Sequence, residues 1–130
     1  MTNRILLIED EEDIRNLVHR ILTSNGFEVS RASSGEEALV KMPTSKPDLI
    51  ILDLMMKGLS GLEICRLLKS KESTRHIPII VLTALSRDVD RRYAAEAGAD
   101  EYLTKPFTAE ALLRAVDNQF MNKPKKDEPP

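Results

Sequence analysis

The sequence predicts an α/β fold, a doubly wound parallel sheet of five strands with helices on both faces. Two observations predict it: short continuous runs of Ile, Leu and Val alternate along the chain with helical patterns, and turn residues separate them. Such runs are typical of strands covered on both faces, and right-handed crossovers through helices make the strands parallel. At 130 residues the chain fits one domain, which buries roughly two thirds of the surface that its unfolded chain exposes.

The strands are predicted at residues 4–8, 28–31, 49–53, 79–83 and 101–104. Four of them are clear in the pattern, and the fifth is inferred. The first helix is predicted from apolar residues at three- and four-residue steps, namely Ile14, Leu17, Val18, Ile21 and Leu22. Leu62, Cys65, Leu67 and Leu68 repeat these steps less regularly before the fourth strand, and the last helix is predicted over 109–120.

Capping and turn residues support these boundaries. Gly26 and Gly98 follow the first and fourth helices, where a left-handed residue commonly ends a helix, and Ser34 can cap the second. Three prolines, Pro43, Pro47 and Pro78, are expected in the connections before the third and fourth strands. The domain is predicted over residues 1–121. Residues 122–130 have no apolar periodicity and are expected to be a disordered tail or the start of a linker.

Composition excludes several classes of protein. The formal charge of -2 provides no basic field for nonspecific binding of nucleic acid, so no direct nucleic-acid partner is expected. A single cysteine, Cys65, excludes an internal disulfide framework and is expected to be a buried thiol. No apolar run approaches the roughly 20 residues that span a bilayer, so no membrane association is expected. The chain is predicted to be cytoplasmic.

Reactive side chains follow four of the predicted strands. Glu9 and Asp10 end the first apolar run, Asp53 ends the third, Thr83 follows the fourth and Lys105 follows the fifth. The carboxyl ends of parallel strands open onto one edge of the sheet, where ligands bind in folds of this class. The sequence therefore predicts one shallow pocket that contains carboxylates, a hydroxyl and an ammonium.

Crowded carboxylates at this edge favour a hard cation. Two carboxylates about 4 Å apart repel each other by up to roughly 4 kcal/mol at an effective dielectric constant near 20. Mg²⁺ relieves such repulsion with carboxylate, water and phosphate oxygens as ligands. A solvated helix start is the alternative interpretation of the acidic run, and it explains residues 11–13. The two histidines, His19 and His76, lie far apart and predict no zinc site.

The same residues suit phosphoryl transfer, which mainly requires positioning, positive charge and hydrogen-bond donors around the phosphate oxygens. Asp53 would be the nucleophile and would form an aspartyl phosphate. Lys105 would hold the acceptor carboxylate and later a phosphate oxygen, while Thr83 would donate to another oxygen. Each residue alone would mean little, since threonine is common in strands and most lysines are solvated.

Five separated elements resemble the receiver domain of two-component response regulators. They are residues 8–11 after the first strand, residues 52–56 after the third, Gly58 to Gly61 in the next loop, Thr83 and Ala84, and residues 98–107 with the sequence Gly-Ala-Asp-Glu-Tyr-Leu-Thr-Lys-Pro-Phe. The resemblance covers about residues 4–120. It implies a flavodoxin-like fold with strand order 2-1-3-4-5.

The resemblance also implies the chemistry. A phosphohistidine on a sensor histidine kinase or phosphotransfer protein would phosphorylate Asp53, with Mg²⁺ held by Asp10, Asp53 and the backbone carbonyl of Met55. Glu9 would assist the metal through water. The domain would be a switch rather than a conventional enzyme, since it would catalyse only its own phosphorylation and dephosphorylation.

A mechanical change would follow phosphorylation. Thr83 would move toward the phosphate and Tyr102 would turn inward, which remodels the surface formed by the fourth helix, fifth strand and fifth helix. Without the motif, Tyr102 would be interpreted as a half-buried aromatic residue with its hydroxyl in water. The Lys105–Pro106 peptide resembles the cis peptide of the family, although trans proline is commoner.

Two residues depart from the family pattern. Glu9 stands where the family more often has Asp, and Lys57 stands where the loop after the acceptor usually has Pro. Binding of the metal is expected to survive, but the rates of phosphorylation and metal binding can differ. Met55 and Leu85 are apolar at positions that line the path of the hydrolytic water in this family, so a long-lived phosphate is expected.

Three alternative functions make different demands on the sequence. A flavodoxin-like FMN carrier would need a hydroxyl- and glycine-rich loop where this chain has acidic residues. A phosphatase of the haloacid dehalogenase type would need a second aspartate at position 55, which is Met55. The remaining alternative is a receiver-like interaction module that is not phosphorylated. Downstream partner and pathway are not predicted, and charges on the fourth and fifth helices suit either a phosphorylation-dependent homodimer or a solvated surface.

Overall fold

The computed structural model describes residues 3–122. These residues form five strands and five helices that alternate along the chain: β1 (Arg4–Ile8), α1 (Glu12–Ser24), β2 (Glu28–Ala32), α2 (Gly35–Ser45), β3 (Leu49–Leu52), α3 (Gly61–Ser70), β4 (Ile79–Thr83), α4 (Asp88–Glu96), β5 (Glu101–Thr104) and α5 (Ala109–Asn122). The alternation follows the apolar runs and helical patterns of the sequence.

The strands form one parallel sheet in the order β2-β1-β3-β4-β5. Ile8 of β1 pairs with Leu52 of β3, so the residues that follow these two strands are neighbours. Thr83 of β4 pairs with Thr104 of β5 at the same edge of the sheet. The predicted flavodoxin-like fold and strand order are confirmed, and the register brings the reactive strand ends together.

The core consists of two layers, one on each face of the sheet. Alternate side chains of the central strands point to opposite faces, as the period of two in a strand requires. On one face Leu6 and Ile50 pack with α2 and α3, and on the other Leu7 and Ile51 pack with α1 and α5. Each such buried side chain contributes about 1.5–3 kcal/mol relative to exposure. A rigid core on both faces therefore fixes the positions of the strand ends.

Several predicted boundaries differ in detail. β3 ends at Leu52, one residue before Asp53, whose N–H still donates to the Ile8 carbonyl at 3.1 Å. Pro43 lies inside α2 instead of in the connection after it. Proline has no N–H to donate within the helix, and α2 ends two residues later at Ser45, with the left-handed Lys46 as its C-cap.

The last helix is longer than predicted. α5 runs to Asn122, the residue at which the sequence predicts the start of the tail. The first proline after α5 is Pro124, so no proline prevents the helix from reaching Asn122. The rest of the predicted tail, residues 123–130, lies outside the described residues. Cys65 is buried, as predicted. Within residues 3–122 none of the helices has the length and apolar character needed to cross a membrane.

Candidate functional site

Lys105 lies between two buried carboxylates at the carboxyl edge of the sheet. Its Nζ is 2.7 Å from Glu9 Oε1 and 3.0 Å from Asp53 Oδ2. Glu9 is 1% exposed and Asp53 is 3% exposed, so both carboxylates are removed from bulk water. Strands β1, β3 and β5 position these three residues, and the backbone N–H of Lys105 also donates to the Thr83 carbonyl at 2.8 Å. The sequence-predicted residues Glu9, Asp53 and Lys105 thus meet.

The charge on Glu9 is only partly stabilised. Burial, with a smaller contribution from the nearby Asp53 carboxylate, raises the pKa of Glu9 from 4.5 to about 7 against the opposing effect of Lys105. The contact of Glu9 Oε1 with Lys105 is an ion pair whose angles do not make a hydrogen bond, so within residues 3–122 this buried oxygen has no hydrogen-bond partner. Burial opposes the charge on Lys105, but the two carboxylates outweigh it and raise the pKa of Lys105.

Asp10 completes a group of three carboxylates. One oxygen from each of Glu9, Asp10 and Asp53 lies within 4.8 Å of the others, and Asp10 is nearest the solvent. An open cleft of ≈ 590 Å³ adjoins them, with Asp10, Asp53, Met55 and Lys105 in its walls. All three side chains offer oxygen, and one buried oxygen of Glu9 lacks a hydrogen bond among the described residues. This donor set fits a hard cation such as Mg²⁺ rather than zinc.

Thr83 and Tyr102 lie beside the cleft rather than in its wall. Thr83 is completely buried at the end of β4, where its Oγ1 accepts a hydrogen bond from the Leu85 N–H at 3.4 Å, and Ala84 lines the cleft instead. The Tyr102 hydroxyl donates to the Leu85 carbonyl at 2.6 Å. The guanidinium of Arg91 lies 4.7 Å from the centre of the Tyr102 ring. Both predicted switch residues therefore contact the same loop between β4 and α4.

The Lys105–Pro106 peptide bond is cis. Lys105 is the residue that pairs with Asp53, and Pro106 follows it at the start of the connection to α5.

The sequence matches the family described as response regulator receiver domain over residues 5–117. This chain belongs to that family. The receiver interpretation is therefore confirmed, and neither the FMN carrier nor the phosphatase is supported. The fold is that of a receiver domain of two-component response regulators.

Two relatives illustrate how far the likeness extends. The receiver domain is 42% identical over 116 residues to the phosphate regulon transcriptional regulatory protein PhoB of Klebsiella pneumoniae, a match that covers 89% of this chain and 51% of that protein. It is 44% identical over 108 residues to the alkaline phosphatase synthesis transcriptional regulatory protein PhoP of Bacillus subtilis, a match covering 83% of this chain and 44% of that protein. The chain spans about half the length of these curated relatives.

Solved structures show the same architecture. A putative response regulator from Chloroflexus aurantiacus superimposes with a TM-score of 0.89 at 32% identity, covering 94% of this chain and all of that one (100%). The chemotaxis protein CheY4 of Vibrio cholerae superimposes with a TM-score of 0.86 at 30% identity, covering 91% of this chain and 98% of that one.

Three residues to which the sequence assigned no individual role also contact the site of this receiver domain. Glu11 and Met56 line the cleft, and Arg15 donates to the backbone carbonyl of Glu9 at 3.0 Å. Lys57, which the sequence marked as a departure from the family pattern, lines the cleft too, and its N–H donates to Asp10 Oδ2 at 3.3 Å. These contacts could not be predicted, because they depend on how two loops turn after β1 and β3.

Proposed function

We propose that this receiver domain is a phosphorylation-activated switch that takes a phosphoryl group onto Asp53 from a phosphohistidine. The donor would be a sensor histidine kinase or a phosphotransfer protein. The observation that carries the proposal is the position of the Asp53 carboxylate, which lies 3.0 Å from the Lys105 ammonium and within the group of three acidic side chains. We place the switch in the cytoplasm, where the reducing environment suits its free Cys65.

The acidic group would hold Mg²⁺. Asp10, Asp53 and the backbone carbonyl of Met55 would bind it, and Glu9 would act through a water molecule. When bound, the cation would offset the negative charge of the acceptor and of the phosphoryl oxygens. The repulsion among buried and half-buried carboxylates supports this part of the proposal, because Lys105 alone provides one positive charge for several negative ones.

The transfer itself would be a single displacement. A carboxylate oxygen of Asp53 forms a bond to phosphorus as the P–N bond to the histidine breaks, and that electron pair remains on the imidazole nitrogen. The Lys105 ammonium would stabilise the charge on an equatorial oxygen. The Thr83 hydroxyl would donate to another, since its oxygen accepts from the Leu85 N–H and a hydroxyl that accepts keeps its own proton to donate.

The readout would pass through the loop between β4 and α4. Movement of Thr83 would displace Leu85, whose carbonyl now accepts the hydrogen bond of Tyr102. Tyr102 would then turn inward and change the surface formed by α4, β5 and α5. That surface would contact a downstream protein or a second copy of the chain, and sizing with and without beryllofluoride separates these two outputs.

The proposal is tested by incubating the full chain with a small phosphodonor and following its intact mass. We expect a gain of one phosphoryl group in Mg²⁺, none in EDTA and none in Asp53→Asn. Lack of any gain in Mg²⁺, in a protein that is folded by circular dichroism, would overturn the proposal and favour an interaction module that is not phosphorylated. The apolar residues Met55 and Leu85 also predict that the phosphorylated form lasts longer than seconds.

A further inference from the structure

Carboxylates hold the loop between β3 and α3, which forms one wall of the cleft. Alternate backbone N–H groups of this loop donate to acidic side chains: Met55 to Asp53 at 3.0 Å, Lys57 to Asp10 at 3.3 Å, and Leu59 to Glu36 at 3.1 Å. The first two acceptors belong to the site itself. Glu36 lies outside it, in the first turn of α2.

The contact with Glu36 is close as well as directional. Gly58 has a φ of +82°, which favours glycine, and a Cβ at this position would lie 3.1 Å from Glu36 Oε1. The carboxylate therefore packs against the backbone at Gly58 and accepts from the next N–H, that of Leu59. These contacts connect α2 to the loop, whose other end is held by the α3 cap Ser60.

The three carboxylates that accept from the loop differ in what else they would bind during the proposed reaction. Asp10 and Asp53 would have to share their oxygens between the loop N–H groups and the cation or the phosphoryl group. The hydrogen bonds from the loop to Asp10 and Asp53 would therefore weaken when the cation and the phosphoryl group bind. Glu36 has no such competitor, so its bond to Leu59 can persist throughout.

We propose that Glu36 is a positioning residue, which holds the loop so that Met55 and Lys57 stay at the cleft when Asp10 and Asp53 engage Mg²⁺ and the phosphoryl group. This inference rests on the proposed function. It assigns to α2 an indirect part in binding and transfer, through a side chain that touches neither the cation nor the acceptor.

The test compares three variants of the full chain. Glu36→Ala removes the acceptor, Glu36→Gln keeps an oxygen that can accept from Leu59 but loses the charge, and Glu37→Gln is the matched control. Glu37 is adjacent on α2 but contacts Ser33 and Lys41 instead of the loop. Three quantities are measured: Mg²⁺ affinity by titration, the rate of phosphorylation, and amide hydrogen exchange of residues 55–60 in EDTA.

We expect Glu36→Ala to weaken Mg²⁺ binding and slow phosphorylation by about threefold to tenfold each, the range for loss of one hydrogen bond. Exchange of residues 55–60 should accelerate by a similar factor, while exchange in β1 and β3 stays unchanged. Glu36→Gln and Glu37→Gln should stay within about twofold of the wild type.

Wild-type behaviour of Glu36→Ala in all three measurements would overturn the inference. So would an equal loss in Glu36→Gln, because charge rather than the hydrogen bond would then be responsible. If Glu36→Ala unfolds globally, amide hydrogen exchange in Glu36→Gln is the deciding measurement. Wild-type protection of residues 55–60 in Glu36→Gln supports the inference, and loss of that protection contradicts it. Failure of the wild type itself to gain a phosphoryl group would contradict the proposed function instead.

Discussion

Lys105 neutralises only part of the negative charge that surrounds it. Its Nζ lies 2.7 Å from Glu9, 3.0 Å from Asp53 and 3.5 Å from Glu11. Glu9 and Asp53 are both buried, and burial makes a full negative charge on each of them costly. The pKa of Glu9 therefore rises to about 7. Near neutral pH the site therefore lies between two charge states, and a divalent cation would favour the ionised one.

Removing the ammonium should affect phosphoryl transfer more than metal binding. We expect Lys105→Met to slow phosphorylation by about tenfold to a hundredfold, because a donor to the transferred group is lost, while Mg²⁺ still binds. Intact-mass time courses and Mg²⁺ titration measure the two effects. Lys57→Met is the control, since Lys57 lines the same cleft but forms no ion pair within residues 3–122. An equal loss in Lys57→Met would contradict the role of Lys105.

Glu9 should make the metal-free protein less stable as pH rises. Its pKa in the folded protein, about 7, lies above its usual value of 4.5, so the folded state holds a proton that the unfolded chain releases. The favourable contribution is complete below pH 4.5 and is lost as pH rises through 7. Glu9→Gln should match the wild type at low pH and exceed it by up to about 3 kcal/mol at high pH.

Urea unfolding in EDTA across this pH range measures that difference. A constant offset between Glu9→Gln and the wild type at all pH values would show that the Glu9 carboxyl does not titrate as described.

At the scale of elements, the Tyr102 side chain connects the loop between β4 and α4 to β5. The Tyr102 hydroxyl donates to the Leu85 carbonyl, and Arg91 of α4 covers the ring and donates to Thr104. The sequence placed Tyr102 on the fifth strand but could not show this bond, because it depends on how the loop turns after Thr83. The hydroxyl is thus bonded to the protein rather than left in water.

Loss of that bond should loosen the loop. We expect Tyr102→Phe to accelerate amide exchange of residues 84–87 and to lower the free energy of unfolding by about 0.5–1.5 kcal/mol. Tyr93→Phe is the matched control, because Tyr93 is 49% exposed on α4. Unchanged exchange in Tyr102→Phe would indicate that the hydroxyl does not hold the loop.

The success of sequence reasoning also varies by element. β1, β3 and β4 are buried along nearly their whole length, so continuous apolar runs revealed them. β5 is half-buried at the sheet edge, and its pattern is correspondingly weak. The end of an apolar run marks the end of a strand, so the proximity of Asp53 and Lys105 at the strand ends could be predicted. The bond from Glu36 to Leu59 could not, because it depends on the loop conformation.

For the whole molecule, cation binding and folding should be linked. A cation that binds only the folded state stabilises it by about 2.7 kcal/mol at a concentration one hundred times its Kd. We expect Mg²⁺ to raise the melting temperature by several degrees in the wild type and by much less in Asp10→Asn. NaCl at the same ionic strength is the control, and an equal rise in NaCl would show that screening, not a bound ion, is responsible.

The surface charges of α4 and α5 bear on how the whole chain signals. Arg87, the N-cap residue of α4, pairs with Asp90 in the first turn of that helix, and Arg114 pairs with Glu110 within α5. The Arg114–Glu110 pair is exposed and contributes little to stability, and in both pairs the charges are already paired before any partner binds. In the proposed switch, a change in the output surface would therefore depend on movement of Tyr102 and the loop rather than on these charges.

Locating the phosphoryl group tests the central claim most directly. The full chain is phosphorylated in Mg²⁺, reduced with a hydride donor that converts an aspartyl phosphate to homoserine, and digested for tandem mass spectrometry. We predict homoserine at position 53 and unchanged Asp at position 10. Homoserine at another position, or none in a protein that has gained a phosphoryl group, would contradict the account.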